Sequence, residues 1–235
     1  MCAALLIRRR SLPVPTFIGA LLLATLVAVA ALLALRALPS FLAPNAPIGH
    51  GILVVEGWMP SSALRLAAET YRRGGYDALI VSGGPVEDPL CGGRFANYAE
   101  RGAAVMRQLG IAEPDLVMVP APASAHDRTY RSAVSVRQWI ESSGRPVTAL
   151  DVFSDGPHAR RSFTLYRQAL GDGVEVGVRS APPSEYDLSR WWRRRDGAKS
   201  VLGEGISYAL TLCCFHPGLR GSHEELWGGP DPRNR

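Results

Sequence analysis

Four short polar stretches hold much of the polar side-chain chemistry of this sequence. They are Glu56-Gly57-Trp58, Ser82-Gly83-Gly84, residues 124–129 (with Asp127, Arg128 and Thr129), and Ser154-Asp155-Gly156-Pro157-His158 with Arg160 and Arg161 close behind. Ser82-Gly83-Gly84 permits close backbone approach and positive φ, as a loop cradling a phosphate requires, and equally suits a tight turn. Gly156-Pro157 reads as a helix start with Pro at its first position, so His158, Arg160 and Arg161 fall in the first turn. Cations there oppose the helix dipole by a few tenths to about 1 kcal/mol each unless an anion joins them. Arg128 and Arg131 repeat the arrangement one helix earlier. Two such starts side by side would make a phosphate or carboxylate pocket with Ser82, Gly83, Gly84, Arg128, Thr129, Ser154 and Arg161 as binding residues; the alternative is that some of these cations point into solvent.

His158 is the candidate general acid or base, because an imidazole titrates nearest neutrality, and Asp127 is its candidate partner. Glu56 is either a ligand-facing carboxylate that orients a hydroxyl or amine, or a residue satisfied by neighbouring backbone and Arg groups. Other chemistries lack their signatures. There is no H-x-x-x-H, H-E-x-x-H or paired D-x-D, so no metal site is expected, and no G-x-S-x-G elbow for a serine hydrolase. Neither a full G-x-G-x-x-G nor a Walker A sequence follows the first strand, so no nicotinamide or ATP site is supported and the cofactor stays unassigned. Cys2, Cys91, Cys213 and Cys214 form no metal or disulfide pattern and read as buried free thiols, with a Cys91 pairing as the alternative. Trp191-Trp192 beside Arg193, Arg194 and Arg195 reads as core tryptophan with solvated arginines, or else as a contact with lipid headgroups.

These residues have to be positioned by a regular alternation of elements. Short apolar runs at 52–55, 78–81, 116–119, 149–153 and 174–178 alternate with segments of helical periodicity. One such helix carries Phe95, Tyr98, Gly102, Val105 and Leu109 on one side. Residues 199–214 read as a last helix with Val201, Leu202, Ile206, Ala209, Leu210 and Cys213 inward. The pattern predicts a three-layer, Rossmann-like α/β domain over residues 50–214, with a mainly parallel sheet of about five strands. In such a sheet ligands bind beyond the C-terminal strand ends, the edge where all four polar stretches lie. A flexible tail is expected over 215–235, poorly ordered from Gly221.

Residues 16–35 contain no charge and follow Arg8, Arg9 and Arg10. A helix of that length matches a bilayer core of about 30 Å, and the arginines favour a cytoplasmic N-terminus (1–15). A cleaved signal peptide is the competing reading, although no convincing A-x-A site follows. A Pro-rich connector is expected over 36–49. Four of the 26 Lys and Arg lie in the first 40 residues, where no Asp or Glu occurs, which leaves 22 basic against 21 acidic residues beyond. A nucleic-acid partner, which needs a basic face on the domain, is therefore not expected.

The ordered set Ser82-Gly83-Gly84, Asp127-Arg128-Thr129-Tyr130-Arg131-Ser132-Ala133 and His158-Ala159-Arg160-Arg161-Ser162 resembles the SanA/ElyC/YdcF-like family of bacterial envelope-associated proteins over about residues 50–212. Val55-Glu56-Gly57-Trp58 stands where a Gly-rich turn is usual in that family. The resemblance implies a Rossmann-like domain on one membrane helix and a role in cell-envelope or peptidoglycan biogenesis. The expectation is a single-pass protein of the bacterial inner membrane whose periplasmic or extracellular domain binds an anionic, phosphorylated or nucleotide-like ligand. One alternative is transfer or hydrolysis at a phosphate or glycosyl-phosphate of a lipid-linked envelope precursor; another is a non-catalytic envelope scaffold.

Overall fold

The computed structural model describes residues 15–86, 94–124 and 127–227. Arg8, Arg9, Arg10, Cys2, Cys91, His126 and residues 228–235 lie outside the described residues. The chain divides into two units, Met1–Ala37 and Leu38–Arg235. Helix α1 (Phe17–Leu42) is long and apolar enough to cross a membrane, and no other helix among the described residues is. It runs past residue 35, where a connector was expected, through Pro39 to Leu42. Packing outweighs the proline. Leu38 and Leu42 bury against Trp191 and Val201, and Arg160 donates to the Phe41 carbonyl at 2.7 Å with its guanidinium 4.3 Å over the Phe41 ring. Pro39 has no N–H to give, but only one intrahelical bond near the helix end is lost.

The second unit continues as β1 (Gly51–Glu56), α2 (Ser61–Arg72), β2 (Tyr76–Gly83), α3 (Tyr98–Gln108), β3 (Leu116–Pro120), α4 (Arg128–Ser143), β4 (Ala149–Asp155), α5 (Ala159–Leu170), β5 (Glu175–Ala181), α6 (Arg195–Cys214) and α7 (His223–Trp227). The five strands form one all-parallel sheet in the order β3-β2-β1-β4-β5, with helices on both faces. Leu53 and Val55 face one layer with Leu64, Ala67 and Met106; Ile52 and Val54 face the other with Val134, Leu165 and Tyr166. A strand covered on both sides has no polar alternation, which is why β1 is apolar at consecutive positions. The chain winds outward from β1 to β3 and returns on the other side to β4, so the switch of direction falls between β1 and β4.

Helix α3 begins later than its periodicity suggested, leaving Phe95 outside. Asn97 accepts from the Glu100 N–H at 2.8 Å while Glu100 accepts from the Ala96 N–H at 2.8 Å, a reciprocal cap that fixes the start. The buried side is then Ala99, Gly102, Ala103 and Met106.

At the amino edge of the sheet, Asp151 is fully buried. Its carboxylate accepts from the N–H groups of Ile48 (2.8 Å) and Gly49 (3.0 Å) and from the Tyr76 hydroxyl (2.5 Å). Burial and the bond to Asp151 push the Tyr76 phenol up to about 12 against the nearby Arg179, so it remains a donor at neutral pH.

Two expectations about the C-terminal region are corrected. The outward side of α6, rather than the inward, carries Leu202, Ile206, Ala209, Leu210 and Cys213; only Val201 of that set is buried. Periodicity identifies an apolar stripe but not which way it points, and here the cleft described below claims the polar side. Cys213 and Cys214 are free and exposed. The expected tail contains α7, and its Phe215 and Leu226 pack against the core. Glu225 of α7 is 2% exposed and accepts a bidentate pair from Arg137 at 2.8 and 2.7 Å, with the Tyr130 hydroxyl at 3.2 Å. Burial raises the Glu225 carboxyl, but these donors outweigh it and hold it below its ordinary value. Arg137→Met removes one partner of this buried pair and is expected to cost about 3–5 kcal/mol of stability. Thermal unfolding of the full chain followed by circular dichroism measures this, and an unchanged transition would show that α7 contributes no such anchor.

Candidate functional site

An open cleft of about 600 Å³ lies over the carboxyl ends of the strands. Its walls include Glu56 from β1, Ser82, Gly83 and Gly84 from β2 and its loop, Asp127, Arg128 and Thr129 at the start of α4, Asp155, His158 and Arg161 at the start of α5, and Ser200, Glu204 and Thr211 from α6. The strand order makes this convergence, because β1 and β4 are neighbours and Glu56 follows Val55, which pairs with Phe153.

Glu56 is 2% exposed, and both its oxygens accept hydroxyl donors. Ser162 reaches Oε1 at 2.9 Å and Ser154 bonds Oε2. Its partners are therefore serines from α5 and β4, in place of the backbone and Arg groups that were one expectation. Ser154 itself is fully buried behind the cleft wall and serves to hold Glu56. An acid this buried without donors would cost several kcal/mol, so the two serines fix where β4 and α5 stand.

His158 follows directly. Its Nδ1 lies 2.9 Å from Glu204 Oε1, and the Trp58 ring packs edge-on against the imidazole at 4.8 Å. Arg161 Nη2 also stands 3.0 Å from Nδ1, so two groups meet that nitrogen: a carboxylate, which accepts, and a guanidinium, which only donates. Nε2 faces the cleft, 3.4 Å from Thr129 Oγ1 and 3.9 Å from Glu56 Oε1. Glu204, and not Asp127, is thus the carboxylate partner of His158. Arg161 holds the same Glu204 through Nε at 2.9 Å and Nη2 at 3.2 Å. Burial would raise the Glu204 carboxyl; hydrogen bonds from His158 and Arg161 and their charge overcome that and bring it down to about 2. Asp155 moves the other way, raised chiefly by burial against the opposing pull of His158.

The remaining residues divide by what they touch. Asp127 lines the cleft at the N-cap of α4 with φ 57°, the left-handed region, and its side chain caps nothing. Only Asn, Asp and Gly adopt that region readily. Neither α4 nor α5 has a side-chain cap or an acid in its first turn; α5 is entered through a single 3-10 turn, Gly156–His158, and its Ala159 N–H bonds the Gly156 carbonyl. Arg131 turns away, with Nη2 on the Glu224 carbonyl at 2.8 Å, and Arg160 turns to Phe41. Gly83 answers first to packing: a Cβ there would stand 2.7 Å from that of Tyr98, and one at Gly57 only 2.1 Å from the Tyr98 carbonyl oxygen. A Cβ at Gly84 would meet only ordinary contacts, the Pro122 carbonyl oxygen at 3.7 Å and that of Ala121 at 3.9 Å, so packing does not require glycine there. Among the described residues no group of three His, Cys, Asp or Glu side chains converges as a metal cage.

The sequence reading missed Glu204 and Ser162. Ser162 had a signal, lying one helical turn after His158; Glu204 lies more than 40 positions away, and its one signal was to be an acid among apolar residues. No protein-family model matches the chain, and no curated protein or solved structure matches it either.

A carboxyl held at about 2 against an ordinary 4.5 stabilises the fold above pH 4.5 and loses that contribution as the pH falls through its folded value. Over that window the unfolding free energy of the native chain should drop by roughly 3 kcal/mol more than that of Glu204→Gln. Parallel pH–stability curves for the two chains would remove Glu204 from this role.

Proposed function

We propose that this chain is a single-pass protein of the bacterial inner membrane, N-terminus cytoplasmic, whose outward domain binds an anionic, phosphorylated or nucleotide-like metabolite of envelope biogenesis. The observation that carries the reading is that α4 begins at the cleft without a side-chain cap and without a first-turn acid. Such a helix start offers N–H donors and a positive dipole end to an anion. Arg128 lines the same wall, and Gly84 allows backbone to approach. Arg161 is engaged by Glu204, so its part is to position that carboxylate rather than to grip the ligand alone. The apolar length of α1 supports the anchor, and the ordered Ser-Gly-Gly, Asp-Arg-Thr and His-x-x-Arg motifs support kinship with the SanA/ElyC/YdcF-like family.

The His158–Glu204 pair favours chemistry at that site over a purely structural role. In the tautomer with Nδ1–H on Glu204, Nε2 is placed to take a proton from a hydroxyl or water, and Glu204 stabilises the imidazolium that forms. The same Nε2 then returns the proton to a leaving oxygen. This is the requirement of transfer or hydrolysis at a phosphate or glycosyl-phosphate, with a membrane anchor keeping the protein near a lipid-linked precursor.

The test is thermal unfolding of the full chain in detergent against inorganic phosphate, nucleotides and phosphosugars. A bound compound at ~100 times its Kd should raise stability by about 2.7 kcal/mol, and Arg128→Ala should abolish the gain. A flat response from every compound would discard the anion site. For a compound that is turned over, His158→Gln is expected to lower kcat by ~10²–10⁴ while binding survives; unchanged turnover would exclude His158 as the proton carrier.

A further inference from the structure

Helix α6 turns its polar side into the protein and its apolar side out. Ser200, Glu204 and Thr211 line the cleft, whereas Leu202, Ile206 and Leu210, spaced by four, are 44%, 64% and 54% exposed. Helices at a water-facing surface have the opposite arrangement, and a continuous exposed apolar stripe marks a surface that meets a partner.

Two observations identify the partner as lipid. Arg195 and Lys199 stand at the N-terminal end of the same stripe, preceded by exposed Trp192, Arg193 and Arg194. Indole and cations at one end of an apolar helix face are what an anionic headgroup layer selects. A second copy of this chain, paired side by side, would bring those like charges together instead. The flank of α6 also packs on the end of α1: Leu38 lies 3.7 Å from where a Cβ on Gly205 would stand, and Leu42 clusters with Val201.

From these we infer that α6 docks by its outer face into the headgroup layer of the bilayer that α1 crosses, seating the roof of the cleft on the membrane. The inference rests on reading α1 as a membrane span and is independent of what the cleft binds.

The experiment uses the full chain with Cys2, Cys91, Cys213 and Cys214 changed to Ser, reconstituted in vesicles of phosphatidylglycerol and phosphatidylethanolamine. Single Leu202→Cys, Ile206→Cys or Leu210→Cys variants carry an environment-sensitive fluorophore, and Glu69→Cys, exposed on α2, is the control. Replacing the lipids by brominated ones should roughly halve emission at 202, 206 and 210, as expected for a face buried ~5–10 Å into the interface, and leave position 69 unchanged. Emission at 206 as insensitive as at 69, in a chain that resists carbonate extraction, would overturn the docking alone. Disulfide-linked dimers through position 206 without quenching would overturn it in favour of a second copy. Release of the chain by carbonate would overturn the anchor and the docking together.

Discussion

The arrangement of the site depends on one carboxylate. Glu56 ends the central strand at almost complete burial, where a charge or a bare acid is tolerated only with donors in place. The donors are hydroxyls of Ser154 on β4 and Ser162 on α5. Satisfying them fixes the register of β4 against β1 and the height at which α5 begins. That height sets His158, whose Nδ1 meets Glu204 from a helix near the end of the chain. One buried acid therefore orders four elements in sequence, from the first strand to α6.

Much of this was legible from the residues. Continuous apolar runs gave the strands, because a sheet covered on both faces removes alternation, and the rule that ligands sit at carboxyl strand ends selected Glu56, Ser82, Asp127 and His158 before any coordinates. The failures have physical causes. Phe95 fitted a helical period, but Asn97 and Glu100 close the cap three residues later, and a cap decides a boundary more firmly than a single apolar position. Leu202, Ile206 and Leu210 fitted a core-facing stripe, yet periodicity has no sign, and Glu204 in their midst was the clue that the polar side faced in. Glu225 read as tail because a charged, Gly- and Pro-rich segment lacks apolar patterning; its order comes from Arg137, 88 positions upstream, a distance at which sequence spacing carries no information.

The glycines illustrate a similar limit. Ser82-Gly83-Gly84 suggests a phosphate cradle, but Gly83 is required by the arrival of Tyr98, leaving Gly84 as the glycine that packing does not require. Close helix–strand approach and close ligand approach demand the same residue type, so only the neighbouring atoms distinguish them. The cleft's charge is likewise not basic: Glu56, Asp127, Asp155 and Glu204 stand against Arg128 and Arg161, so an anion there would be held by directed donors rather than by net field.

Asp151, at the opposite edge of the sheet, has a mechanical consequence. The chain descending from α1 is clamped at Ile48 and Gly49 to a carboxylate on β4, and Ala46 bridges Val178 of β5 antiparallel. A pull transmitted along that chain meets these fasteners before it reaches β1. They lie on β4, which pairs with β1, and on β5 beyond it, so load is shared across the sheet in shear instead of peeling the first strand away. The cleft, built at the far ends of the same strands, is thereby insulated from tension on the tether.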